Sequence, residues 1–154
     1  MKITEVELFH ISIPFAKPYH LSKIYGTLHN AHAVILKIHT YNGIIGLGEA
    51  DPMVPFTKES PDDVMTVIND TIAPYLIDRD PAHIAMLEAD LDRMVKENLT
   101  ARGAVNMALY DINGKANNIP VYTLFGGMRH AKVPLLFGVS SGTPEEDLAI
   151  IEEQ

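Results

Sequence analysis

Apolar and polar residues alternate in three short stretches at the start of the chain, and further on the apolar ones recur at threes and fours. Ile3, Glu5 and Glu7 against Val6 and Leu8 set out a strand running to about Ile13, where Pro14 intervenes. From Ala31 to Thr40, Val34, Leu36 and Ile38 fall on one face and Ala33, Ile35, Lys37 and His39 on the other, predicting a second strand. Asn42-Gly43 comes next. Both residues accept positive φ, so Tyr41 to Ile44 is expected to be a two-residue hairpin turn, with Ile44 to Ala50 as the returning strand. Gly46 and Gly48 in that strand predict a bulge or a close approach by another backbone.

Helical spacing takes over after a proline-containing link. Ser60-Pro61-Asp62-Asp63 joins a capping side chain, a proline at the first position and acids in the first turn. Val64, Val67, Ile68 and Ile72 form its apolar stripe, and Pro74 is expected to end it. Asp80-Pro81 starts a second helix in the same way, with Ile84, Leu87, Leu91 and Met94 as its buried row. In the third, Ala101, Ala104, Val105, Ala108, Leu109 and Ile112 share one face, flat because half of them are alanines. Such a helix can be wedged closely between layers. Asn117-Asn118 tolerate a left-handed ending, Pro120 suits the first position of a short helix, and Gly126-Gly127 end that one. Strands first and helices afterwards predict an α+β fold, a three-stranded antiparallel meander followed by a helical bundle.

Val133 to Val139 is a continuous apolar run, which suits a strand buried on both faces. Thr143-Pro144-Glu145-Glu146 then resembles a capping box that opens a helix bearing Leu148, Ile150 and Ile151. Together they make one βα unit whose strand has no parallel neighbour, an adhesive arrangement unless something completes the sheet.

With 154 residues, 47% of them hydrophobic, the chain can bury the core of one domain. A net charge of −8 from only 12 scattered basic residues disfavours nucleic acid. The absence of cysteine excludes disulfides and thiolate chemistry and agrees with a cytoplasmic setting. MKITEVELFH is charged and alternating, unlike a signal peptide or a membrane span.

The MKITEVEL strand, the hairpin HAVILKIHTYNGIIGLGEA and the helix ALYDINGK followed by IPVYTLFGG occur in an order and spacing that closely resemble the N-terminal capping domain of the enolase superfamily, in its muconate-lactonizing and mandelate-racemase-like branches. Tyr110 departs from the tryptophan of many relatives without disturbing the fold. The resemblance implies a capping domain over 1–129 and, over 130–154, the first strand and helix of a truncated (β/α) barrel. A complete barrel takes about 200 or more residues. In that family the barrel carries the carboxylate ligands of Mg²⁺ and the acid/base lysines, so no catalytic or metal-ligating residue is expected in this chain. The complete enzyme would abstract a proton α to the carboxylate of a small substrate and stabilise the enediolate on Mg²⁺, as a racemase or epimerase, a cycloisomerase or a dehydratase. The same resemblance implies a homo-oligomer, dependence on the missing barrel segment and inactivity of this chain alone. A stand-alone binding or interaction module without catalysis is the alternative.

Two segments are candidates for substrate contact. Ala16 to Leu28 places two tyrosines, a histidine, two lysines and a glycine where a tight turn would suffice, and is expected to be a loop. By resemblance it closes over the barrel mouth, which makes Tyr19, His20, Ser22, Lys23 and Tyr25 specificity candidates. Asp51 to Glu59 is stiffened by two prolines and carries apolar residues without periodic partners; by resemblance Met53 and Phe56 would wall the substrate cavity. Ser140, after the expected barrel strand, is a further contact candidate. Glu49 with Asp51, and His29 with His32, lack the further ligands that a metal site needs. Asp111 and Lys115 sit four apart on a helix and are expected to form an ion pair.

Overall fold

In a computed structural model, residues 1–21, 24–135 and 143–152 are described. Strands β1 (Ile3–His20), β2 (Thr27–Thr40) and β3 (Ile45–Ala50) form one antiparallel sheet in that order. Leu36 of central β2 pairs with Leu8 on one side and Gly48 on the other. Val34, Leu36 and Ile38 share the inner face and are fully buried.

The first two strands are longer than their alternation predicts. β1 passes through Pro14 to His20 and β2 begins at Thr27, so most of the expected loop from Ala16 to Leu28 is an extended hairpin. β1 is an edge strand, where a residue without an N–H is tolerated. Pro14 pairs with Asn30 and Tyr19 with Leu28, and a bulge absorbs the extra residues on β1. The β2–β3 turn also differs from expectation. Thr40 N–H donates to Ile44 O at 3.0 Å, and Gly43 alone takes positive φ, 82°. The result is a three-residue loop with glycine in the left-handed position.

Helix α1 (Pro61–Val67) opens on the predicted cap: Ser60 Oγ accepts from Asp63 N–H at 3.2 Å, and the Asp63 carboxylate accepts from Ser60 N–H at 2.9 Å. The Ser60 hydroxyl, which also donates to that carboxylate at 2.7 Å, and then the Ser60 N–H hold the Asp63 carboxyl below its ordinary range. Pro74 does not end the helix. A π-helical turn, Ile68–Ile72, leads into α2 (Ala73–Leu76), and the wider turn accommodates a ring and a missing donor that an ordinary helix would not.

α3 (Ile84–Met94) starts later than Asp80-Pro81, which instead shape the preceding turn: Asp80 accepts from Ala82 N–H and from the Met1 ammonium, each at 3.0 Å. Leu87 and Leu91 are buried as expected, but Met94 is exposed and Val95 fills the core beyond them. In α4 (Leu99–Asn117) all six predicted core residues are fully buried, each large one worth about 1.5–3 kcal/mol. Asn118 closes it at φ 52°. Pro120 caps α5 (Val121–Leu124) from just outside, and Gly126 and Gly127 come after it at positive φ.

α4 lies across the inner face of β3. Gly46 and Gly48 leave the room for it: a Cβ on Gly46 would lie 2.5 Å from Ile112 Cγ1, and one on Gly48 would lie 2.8 Å from the Ala104 carbonyl carbon. The register between β2 and β3 runs without a bulge, so of the two readings of these glycines the close approach holds.

The C-terminal segment contains α6 (Pro144–Glu152). Val133 to Leu135 have no regular structure, and Val133 and Leu135 are strongly exposed. The rest of the expected barrel strand, Leu136 to Val139, lies outside the described residues.

Candidate functional site

The far half of the β1–β2 hairpin extends beyond the helices, and a cavity of about 610 Å³ opens between its inner face, the segment after β3 and the start of α1. Alternation explains the hairpin's contribution. His10 pairs with Val34, and His32 and Asn30 precede Val34 at steps of two, so all project to the side that carries the core. His10 Nε2 and His32 Nδ1 are 3.2 Å apart and share a hydrogen bond, while Asn30 Nδ2 donates to Ser12 Oγ at 3.0 Å. Phe15, Tyr19 and Leu28 add an apolar wall.

The opposite wall is the segment from Asp51 to Ser60, held by its own hydrogen bonds. Met53 N–H donates to Thr57 Oγ1 at 2.9 Å, Thr57 N–H to Met53 O at 2.8 Å, and Thr57 Oγ1 to Glu59 O at 2.9 Å. Glu59 ties the segment to the core. Its carboxylate accepts from the Thr100 and Ala101 N–H groups at 3.1 and 3.4 Å, at the start of α4, where Asn98 supplies no side-chain cap.

The predicted contact residues divide. Tyr19 and Met53 both line the cavity, from segments that are separate in sequence. Tyr25 and Phe56 meet edge to face at 5.4 Å, joining the hairpin tip to the second segment outside the cavity wall. His20 Nδ1 is 3.0 Å from Thr27 Oγ1, a bond across the hairpin. Ser22, Lys23 and Ser140 lie outside the described residues.

Several wall residues were missed as contacts: His10, Asn30, His32, Asp51 and Asp62. For His32 and Asn30 the signal was the alternation running back from Val34. Asp51 lines the cavity, whereas Glu49 is not among its described lining residues. Among the described residues no group of three or more His, Asp or Glu side chains could hold a metal ion, so the donor set does not fit Mg²⁺. Asp111 and Lys115 form the expected ion pair at 2.6 Å and do more: Asp111 Oδ2 accepts from Leu47 N–H at 2.8 Å and Lys115 Nζ donates to Ile45 O at 2.7 Å. No helix among the described residues is long and apolar enough to cross a membrane.

Residues 3–126 match the family model of the mandelate racemase / muconate lactonizing enzyme N-terminal domain. The chain is 34% identical over 145 residues to the N-succinyl-L-Arg/Lys racemase of Bacillus cereus, covering 94% of this chain and 39% of the racemase. Muconate lactonizing enzyme from Pseudomonas fluorescens, solved with muconolactone, superposes with a TM-score of 0.93 at 28% identity, over 99% of this chain and 41% of that one. An enolase superfamily member from Roseovarius nubinhibens, solved with magnesium, gives a TM-score of 0.87 at 29% identity, over 99% and 41%. The chain thus spans about two fifths of the length of these relatives.

Proposed function

Since the chain belongs to the mandelate racemase / muconate lactonizing enzyme family of the enolase superfamily, whose N-terminal domain it carries, we propose that it forms the substrate cover of an enzyme that abstracts a proton α to a carboxylate. The cavity that joins Tyr19 to Met53 carries this reading, because two segments distant in sequence converge on one apolar space. In this reading residues 1–129 are the cover, 130–154 open the barrel, and acid/base groups and the ligands of Mg²⁺ lie on a segment outside this chain. The active form is a cytoplasmic homo-oligomer acting on a small carboxylate as a racemase or epimerase, a cycloisomerase or a dehydratase.

Joining the chain to the barrel portion of the Bacillus cereus racemase tests the proposal. With Mg²⁺ in D₂O, the joined protein should exchange the α-proton of an N-acyl amino acid, and neither part alone should do so. Absence of exchange from a folded, joined protein would overturn the covering role, and exchange by the 154-residue chain alone would overturn its inactivity.

One observation favours the stand-alone module. Among the described residues, the core cluster, from Ile3 to Ile112, includes none from the C-terminal segment. A monodisperse monomer that binds ligand and never supports exchange would be the mark of that alternative.

A further inference from the structure

The cavity wall is unbalanced in charge. Asp51 and Asp62 stand on it, no lysine or arginine is among its described lining residues, and neither carboxylate has an ion pair or hydrogen bond with a described residue. The two imidazoles on the wall are engaged with each other, in a bond that requires one of the two nitrogens to be bare. Across the cavity from the acids are the rings of Phe15 and Tyr19, their centroids 6.2 Å apart, and Leu28, while Met53 lies on the acids' own side.

Among the described residues, a ligand group entering this space meets apolar surface, two aromatic rings and two carboxylates that have no described partner. An anionic end is repelled by both acids. A neutral end gains only burial. A cation on an apolar stem gains burial and attraction to two carboxylates, in a cavity that also holds two aromatic rings. We propose that the cavity selects substrates whose end remote from the reacting carbon is an ammonium or guanidinium on an apolar stem, with Asp51 and Asp62 as specificity-determining residues. This rests on reading the cavity as the substrate cavity.

Nα-acetyl-L-lysine, Nα-acetyl-L-norleucine and Nα-acetyl-L-glutamate share a reacting end and differ in remote charge. Titrated into the 154-residue chain and monitored by NMR shifts of Tyr19 and Met53, the lysine derivative should bind about fivefold or more tighter than the other two. Asp51→Asn and Asp62→Asn should each narrow that ratio, and together bring lysine to the level of norleucine. Equal or tighter binding of norleucine or glutamate, a preference that survives the double substitution, or no binding of any probe would overturn the proposal. The joined enzyme separates this from the covering role. Exchange of all three derivatives at one rate removes the charge preference alone, whereas no exchange with the lysine preference intact removes the covering role alone.

Discussion

Gly48 of β3 and Ala104 of α4 meet backbone to backbone: a methyl group on Gly48 would fall 2.8 Å from the Ala104 carbonyl carbon and closer still to its oxygen. The obstacle is main chain, which no rotamer change can move aside. Gly48→Ala should therefore destabilise the chain by about 1–3 kcal/mol or prevent folding. Urea denaturation of this variant beside Gly103→Ala, where a Cβ meets nothing within 4 Å, gives the comparison. Equal midpoints would show that the contact is looser than described.

Asp111 binds the outer edge of β3 through the Leu47 amide and fixes Lys115 against the Ile45 carbonyl. Asp111→Ala should cost about 1 kcal/mol. Amide exchange at Leu47 should also quicken well beyond the change at Leu36 in the central strand.

Glu59 connects the cavity wall to α4 by accepting from Thr100 and Ala101. Glu59→Ala removes a capping acceptor, so a loss of about 1 kcal/mol is expected. Backbone NMR relaxation should show greater motion from Met53 to Thr57. A rigid segment in that variant would mean that Thr57 alone holds it.

The Asp80 carboxyl is held below its ordinary range, first by the Ala82 amide and then by the Met1 ammonium. A carboxyl with a depressed native pKa stabilises the fold above its unfolded pKa, and the stabilisation is lost as pH falls through the native one. The urea midpoint should therefore drop below about pH 4, less steeply in Asp80→Asn. Parallel slopes in the two proteins would remove Asp80 from the account.

Tyr19 and Met53 are partly exposed and belong to the wall, outside the core. In the joined enzyme Met53→Ala should lower kcat/KM about tenfold. Its urea midpoint should stay within about 0.5 kcal/mol of the parent.

The packed half of the molecule was legible because its signals are local. Glycines facing alanines, a Ser60 cap and inward Val34, Leu36 and Ile38 each state their burial within a few residues. The cavity was less so. Pro14 ends a strand in isolation and is harmless on an edge, a fact that needs the neighbouring strand. Asp62 comes directly after Pro61 in a first helical turn, where acids are ordinary; only the tertiary fold brings it to the same cavity as His10. Tyr19 and Met53 came from the family resemblance, and their composition alone would not have separated them from Tyr25 and Phe56, which serve each other.

The π-helical turn at Ile68–Ile72 sets the rotational phase of α2. Each residue of an α-helix advances about 100° around the axis, so one residue fewer here would swing Leu76 out of the interior and carry Tyr75 away from Asp90, whose carboxylate it reaches at 2.5 Å. Ile68 and Ile72 fix which side chains the segment can carry, and its phase fixes how many residues it can have.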